Sequence, residues 1–256
     1  MTDGIGSMTD RLSAMLGENL YALYLYGSAA SGDYREGWSD MDILVLTEQP
    51  LSVEMAESLV GLRQRLCAET SVPRYRAFEG GILSLSAFLK GTPEPVVYWG
   101  TSGERVTERY ELNALSRLDL LRHGILLAGA DVRDRIPNPT RAQLRENIRA
   151  HYETIRRYGK TPGANFYAFG WLFDIARCLY SLETGEILPK TQAGEWVLAQ
   201  NRCPIPVREA LQYALTVRRD PLSHKTEAVY RYAASLGPVI QCFADTLERA
   251  LTDKTT

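Results

Sequence analysis

Two aspartates one residue apart, Asp40 and Asp42, stand at the start of the apolar segment MDILVLT. In an extended strand, side chains two positions apart point to the same side, so these carboxylates are expected to lie close together. Like charges at that separation raise each other's pKa, and a bound cation removes this cost. Mg²⁺ prefers oxygen ligands and often shares them with phosphate groups. The pair therefore predicts a magnesium site, with Asp40 and Asp42 as its ligands.

A glycine and a hydroxyl residue precede the aspartates, at the end of another apolar segment. Gly27 and Ser28 lie within LYGSAASG, directly after LYALYLY. Glycine lets a backbone approach a ligand closely, and a helix that starts at Ser28 would favour an anion at its N-terminus. Ser39, directly before Asp40, is expected to border the same site. We therefore predict that Gly27, Ser28 and Ser39 help to bind the phosphates of a nucleotide.

The elements that hold these residues alternate between strand-like and helix-like segments in the first half of the chain. Apolar and aromatic runs predict strands at 20–27 and 41–47, a third strand within 74–88, and a short buried strand or turn at 124–129. Helical spacing of apolar residues predicts helices at 9–18, 52–69 and 112–124. Residues 90–104 are expected to form a loop with a short extended piece.

The second half is dominated by helical patterns. Thr140, followed three residues later by Gln143, is a capping-box start, and Gly185 is expected to end the most apolar helix. Further helices are predicted at 190–200, at 206–219 and from about 224 to 251. We therefore predict an α/β (α+β) domain with a mixed sheet at 1–140, followed by an all-α helical bundle domain at 141–256.

Composition limits the kinds of partner. The net charge of −2 gives no basic field for nucleic acid, and no apolar run approaches the length of a membrane span. The four cysteines and three histidines have no metal-binding spacing, so reduced thiols and no zinc site are expected. With no secretion signal in the sequence, we expect a cytoplasmic protein, either a monomer or a weak dimer.

The ordered combination of strand, Gly27-Ser28, a short gap, Asp40-x-Asp42 and apolar strand resembles the nucleotidyltransferase superfamily. The segment 176–196, ARCLYSLETGEILPKTQAGEW, is similar to the C-terminal domain of the streptomycin/spectinomycin adenylyltransferases. The resemblance implies a Mg²⁺-dependent enzyme that transfers AMP from ATP to a hydroxyl of an aminoglycoside or aminocyclitol. It also implies a five-helix C-terminal bundle and an acceptor bound between the two domains.

The resemblance also implies roles for individual residues. Glu79, in RAFEGG, matches the third acid of the family, the base that deprotonates the acceptor hydroxyl. Lys190, in LPK, matches a lysine that contacts the ATP phosphates, and Tyr213 lies near a tyrosine that touches the nucleotide. Asp40 and Asp42 correspond to the metal ligands and Ser28 to a phosphate ligand.

One stretch departs from the family pattern and bears on the acceptor. In the family, the loop before the long apolar helix carries acids that pair with a cationic drug, but here it contains Arg156, Arg157 and Lys160 and no acid. A basic loop would repel a polycation. Two alternatives therefore stay open, namely an adenylyltransferase of the toxin–antitoxin type that acts on a protein partner, and a non-catalytic nucleotide-binding sensor.

Overall fold

The chain forms two compact units. The computed structural model describes residues 2–69, 73–100 and 103–253. The first unit consists of the described residues up to Tyr34 and those from Ser39 to Asn138, and the rest belong to the second unit. The second unit therefore includes the short segment Arg35–Trp38, in which the Trp38 ring stacks on Phe166 with 5.0 Å between ring centroids.

The first unit is built around one sheet. Its described strands are β1 (Leu20–Tyr26), β2 (Met41–Thr47), β3 (Phe78–Ser84), β4 (Val96–Trp99), β5 (Arg105–Thr107) and β6 (Ile125–Gly129). Its described helices are α1 (Thr2–Leu16), α2 (Gly27–Ala30), α3 (Val53–Ala68), α4 (Leu85–Lys90) and α5 (Ala114–His123). The strand order is β5-β4-β3-β2-β1-β6. β2 and β3 run parallel and the other neighbouring strands antiparallel, which confirms the predicted mixed sheet.

Both faces of the sheet are covered, which explains why β1 and β2 read as almost continuous apolar runs. On one face, Leu23 and Ile43 pack in a cluster with residues of α1 and α3. On the opposite face, Tyr24 and Leu44 pack in a cluster with residues of α4 and α5. The parallel pair requires a crossover connection, and α3 provides it between β2 and β3.

The second unit is helical. Its described helices are α6 (Arg141–Tyr158), α7 (Tyr167–Thr184), α8 (Lys190–Ala199), α9 (Ile205–Arg219), α10 (Glu227–Ala234) and α11 (Gly237–Thr252). The predicted capping box is confirmed, because Thr140 accepts from the backbone of Gln143 and the Gln143 side chain accepts from the backbone of Thr140. Gly185 ends α7 in the left-handed conformation, with φ of 75°. α7 has the most buried residues of these helices and packs against α6, α8 and α11.

The structure corrects three predicted elements. The stretch 224–251 is two helices, α10 and α11, so the described second unit has six helices and not five. The interruption falls at Ser235 and Leu236, because Pro238 in the first turn of α11 cannot continue a preceding helix. The N-terminal helix covers Thr2–Leu16 and not 9–18. β6 is a partly exposed edge strand and not a buried one, because it has a neighbour only in β1.

Candidate active site

Three acidic residues come together at one end of the central strands. β2 and β3 are parallel, and their register pairs Asp42 with Glu79, each the second residue of its strand. Side chains directly opposite each other on neighbouring strands share a face of the sheet. Asp40 lies one residue before β2, and all three acids are partly exposed. The structure therefore places Asp40, Asp42 and Glu79 around one end of the parallel pair.

Gly27 lies against the carboxylate of Asp42. Gly27 follows β1, whose last residue Tyr26 pairs with Asp42, and its φ is +68°. A Cβ at Gly27 would lie only 2.0 Å from Oδ2 of Asp42. Two features therefore favour glycine at this position: the left-handed backbone conformation and the close approach of the Asp42 carboxylate.

Ser28 joins this turn to the aspartate segment. Its hydroxyl donates to the backbone carbonyl of Asp40 at 3.3 Å, and its own carbonyl accepts from the backbone N–H of Asp33 at 2.9 Å. The helix that starts here, α2, is a single turn of four residues. Ser39 directly precedes Asp40 and is partly exposed. Gly27, Ser28 and Ser39 thus lie beside the acids as a group, while their role as phosphate ligands stays a prediction.

Glu79 has a tyrosine partner that sequence reasoning missed. The hydroxyl of Tyr98, on β4, donates to Oε1 of Glu79 at 2.5 Å. Tyr98 is paired with Gly81, two residues after Glu79, so the two side chains are diagonal neighbours on one face of the sheet. The predicted short extended piece within 90–104 corresponds to β4, but its register against β3 is set by non-local pairing, so the signal for this contact in the sequence was weak.

Two further phenols lie next to the acids. The hydroxyls of Tyr26 and Tyr110 are 3.3 Å apart. Burial raises the pKa of Tyr110 to about 12, and the negative charges of Asp42 and Glu79 act in the same direction. Burial likewise raises the pKa of Tyr26 well above its usual value. Both phenols therefore keep their protons at neutral pH, and they add no charge beside the carboxylates.

The donor set fits Mg²⁺ in a site that a substrate completes. Glu79 does not complete a three-ligand metal site with the two aspartates, and no other three His, Cys, Asp or Glu side chains among the described residues form one. Mg²⁺ sites in nucleotide enzymes commonly use only one or two carboxylates, with phosphates and waters as the remaining ligands. The missing Cβ of Gly27 leaves room for the Asp42 carboxylate at the Gly27-Ser28 turn. Asp40 and Asp42 thus suit a cation that is shared with phosphates.

Lys190, the predicted phosphate contact, lies in the second unit at the first residue of α8. Its ammonium is 3.0 Å from Oδ1 of Asp174, and Nε2 of His151 is 3.8 Å from Oδ2 of the same carboxylate. Burial alone would raise the pKa of Asp174, but the charge of Lys190 and the proximity of the His151 imidazole hold that pKa well below its usual range. The Lys190 side chain is 31% exposed, so solvent reaches part of it.

Tyr213 lies on α9 of the second unit and is 37% exposed. Its ring packs edge-on against Tyr232 with 5.0 Å between centroids, and it lies 6.1 Å from the ring of Phe169. These contacts place it in an aromatic cluster of the second unit. Its contact with a nucleotide stays a prediction.

The interpretation of residues 156–160 as a basic loop is wrong in part. Arg156 and Arg157 lie in the last turn of α6, because that helix continues to Tyr158. Arg156 forms ion pairs with Asp245 and Glu248 of α11, so its charge is largely compensated. These acids are about 90 positions away in the sequence, so the local pattern did not show them. The segment therefore carries less net positive charge than its sequence indicates.

Comparison with known proteins finds a family match in each half of the chain. The profile of the family described as "Nucleotidyltransferase domain" matches residues 9–75, and that of "Aminoglycoside adenylyltransferase, C-terminal domain" matches residues 131–236. A spectinomycin 9-adenylyltransferase of Campylobacter jejuni is 26% identical over 190 residues, which cover 70% of this chain and 71% of that protein.

The fold is also similar to that of a solved structure. The crystal structure of a spectinomycin adenyltransferase from Enterococcus faecialis with ATP and spectinomycin has a TM-score of 0.70 and 17% identity. The match covers 95% of this chain and 98% of the other. Among the described residues, no helix is long and apolar enough to cross a membrane. The chain therefore combines a nucleotidyltransferase domain with an aminoglycoside adenylyltransferase C-terminal domain.

Proposed function

We propose that this enzyme transfers AMP from Mg·ATP to a hydroxyl group of an aminocyclitol or aminoglycoside antibiotic, with spectinomycin and streptomycin as the candidate acceptors. The observation that carries the proposal is the register of the parallel strands, which sets Glu79 beside Asp42 while Asp40 lies two positions before Asp42. Two metal ligands and a base on neighbouring strands are what an in-line attack on a phosphate requires. The relatives named as spectinomycin adenylyltransferases indicate the class of acceptor.

Different residues of the site are proposed to bind the metal, bind the phosphates and accept the proton. Asp40 and Asp42 would hold Mg²⁺, which when bound neutralises charge on the phosphates. Ser28, with Gly27 and Ser39 beside it, would bind phosphate oxygens through hydroxyl and backbone groups. Glu79 would take the proton of the acceptor hydroxyl as that oxygen attacks the α-phosphorus.

The second unit is proposed to contribute to nucleotide binding. The ammonium of Lys190 is held by Asp174 and is partly exposed, which suits a contact with phosphate oxygens. Tyr213 is proposed to touch the nucleotide. Because ATP is the co-substrate, we expect the enzyme to act in the cytoplasm.

The ion pairs of Arg156 bear on the acceptor. Compensation of this guanidinium by Asp245 and Glu248 removes part of the repulsion that a basic segment would exert on a cationic drug. The remaining cations of the segment are Arg157, whose guanidinium lies 5.2 Å from the centroid of the Tyr158 ring, and Lys160. The charge of the segment thus no longer argues strongly against an aminoglycoside acceptor.

The experiment that tests the proposal is pyrophosphate release from Mg·ATP, measured with no acceptor, with spectinomycin and with streptomycin. Asp42→Asn should abolish release, because it removes a metal ligand. Asp134→Asn, at an exposed aspartate outside the site, is the matched control and should keep the wild-type rate. Drug-dependent release that Asp42→Asn abolishes supports the proposal. Binding of Mg·ATP without release with either drug would refute it, and would favour the sensor or the protein acceptor.

A further inference from the structure

We propose that Tyr98 is a positioning residue for Glu79. Its hydroxyl holds Oε1 of the carboxylate, so that the other oxygen, Oε2, is directed at the acceptor. This inference rests on the proposed function, in which the acceptor oxygen forms a bond to the α-phosphorus. The bond between that phosphorus and the bridging oxygen breaks, its electron pair leaves with pyrophosphate, and the proton of the acceptor hydroxyl passes to Oε2 of Glu79.

The strand register brings the two side chains together. Tyr98 on β4 is opposite Gly81 on β3, and Glu79 lies two residues before Gly81 on the same face of the sheet. Since Gly81 has no side chain, Tyr98 meets no direct cross-strand neighbour there and can lean along the strand towards Glu79. The resulting hydrogen bond of 2.5 Å is as short as those of a hydroxyl with a carboxylate.

Two glycines make room for the tyrosine rings. A Cβ at Gly81 would lie 2.3 Å from a ring carbon of Tyr110, and a Cβ at Gly100 would lie 2.1 Å from the hydroxyl oxygen of Tyr98. The rings of Tyr98 and Tyr110 are neighbours, with 6.4 Å between their centroids. Any larger residue at Gly100 would therefore push the Tyr98 hydroxyl from its present position beside the acid.

A cation on the next strand supports the same ring. Arg105 is the cross-strand partner of Tyr98 on β5, and its guanidinium carbon lies 4.5 Å from the centroid of the Tyr98 ring. A cation over an aromatic face is attractive and limits rotation of the ring. It also withdraws electron density from the phenol, which makes the hydroxyl a stronger hydrogen-bond donor towards Glu79.

A base on a long side chain needs such a partner. Glutamate has three rotatable side-chain bonds, and Glu79 is partly exposed. Its partner in the register of the two parallel strands is Asp42, a second acid. Repulsion between the two acids would turn Glu79 away from the productive orientation. A hydrogen bond to one oxygen opposes that rotation and leaves the other oxygen open to accept a proton.

The test compares Tyr98→Phe with Tyr75→Phe, each alone and in the Glu79→Gln background. Tyr75 is the matched control, because it is a buried tyrosine of the same unit whose hydroxyl donates a hydrogen bond to Ser7. It lies in the core cluster on the α1 and α3 side of the sheet, away from Glu79. The assay is pyrophosphate release with spectinomycin and with streptomycin, and melting temperatures are measured alongside. Tyr98→Phe should lower kcat by roughly 10-fold and change KM for Mg·ATP by less than about twofold. In the Glu79→Gln background it should change the residual rate by less than about twofold, because no base remains to be positioned.

Each other outcome overturns the inference in an identifiable way. If Glu79→Gln lowers turnover to a small residual rate but Tyr98→Phe retains the wild-type kcat, the positioning role is refuted and the proposed function stands. An equal loss of rate from Tyr98→Phe in both backgrounds would show that Tyr98 acts on the fold and not through Glu79. If Glu79→Gln retains full activity, or the wild type is inactive with both drugs, the proposed base or function is wrong, and the role of Tyr98 is refuted with it.

Discussion

Replacing Gly27 with alanine tests how closely the Gly27-Ser28 turn and the acids are fitted to each other. The new Cβ would lie 2.0 Å from Oδ2 of Asp42, whereas real Cβ contacts essentially never fall below 3.0 Å. The carboxylate or the turn must therefore shift by about 1 Å, a displacement that can cost roughly 100-fold in rate at a catalytic centre. We expect Gly27→Ala to lower kcat/KM for Mg·ATP by about that factor.

Backbone strain must be separated from this effect. Gly27 has φ of +68°, and alanine in the left-handed region costs about 1–2 kcal/mol whatever its neighbours. Gly17 is the matched control, because its φ is +54° and a Cβ there would meet nothing within 4 Å. Both variants should lose roughly 2–8 °C of melting temperature, while Gly17→Ala keeps wild-type kinetics.

The assay is pyrophosphate release below the melting temperature of both variants, with titration of Mg²⁺ at fixed ATP. Gly27→Ala should also require more Mg²⁺ for half-maximal rate, because one proposed ligand has moved. Equal kinetics in Gly27→Ala and Gly17→Ala would refute the reasoning, since the contact with Asp42 would then have no consequence for the reaction.

Three further substitutions test the second unit. Lys190→Met should raise KM for Mg·ATP by roughly 10-fold with a smaller change in kcat, because it removes the proposed contact with the phosphates, which would stabilise the bound substrate and the transition state alike; unchanged nucleotide affinity by calorimetry would exclude that role. Asp174→Asn should lower the urea midpoint at pH 7, and the difference in midpoint from wild type should narrow steadily as the pH falls below about 4. A carboxyl whose pKa is depressed by folding contributes stability above its unfolded pKa and loses it as pH falls towards the folded value. A difference in midpoint that is the same at pH 3 as at pH 7 would contradict this assignment. Arg156→Gln should change KM for spectinomycin by less than about twofold, because Asp245 and Glu248 already compensate its charge; a large fall in KM would show that Arg156 does repel the drug.

The parts of the fold that local pattern determines were predictable from the sequence. Uninterrupted apolar runs indicated β1 and β2, the spacing of Asp40 and Asp42 indicated a site at the start of β2, and Thr140 with Gln143 indicated the start of α6. The break between α10 and α11 had a local signal in Gly237-Pro238, but the helical pattern on either side of it concealed the interruption.

The remaining features depend on contacts between residues far apart in the sequence. Tyr98 reaches Glu79 only because β4 pairs with β3 in one register, and a slip of one residue would turn Tyr98 to the opposite face. Arg156 reads as an uncompensated cation until α11 is placed against α6. Such contacts follow from tertiary packing, which the spacing of residues within one segment does not encode.

The acids of the candidate site extend from the central strands of the sheet. Asp42 and Glu79 belong to β2 and β3, whose following residues are buried on both faces, and neither strand is at an edge. Backbone amides in such strands exchange their hydrogens with solvent mainly through global unfolding, whereas amides of exposed edge strands exchange through local opening. The carboxylates of Asp42 and Glu79 therefore share the cooperative stability of the whole first unit. If they form the active site as proposed, the enzyme should lose activity on heating together with its fold and not before it.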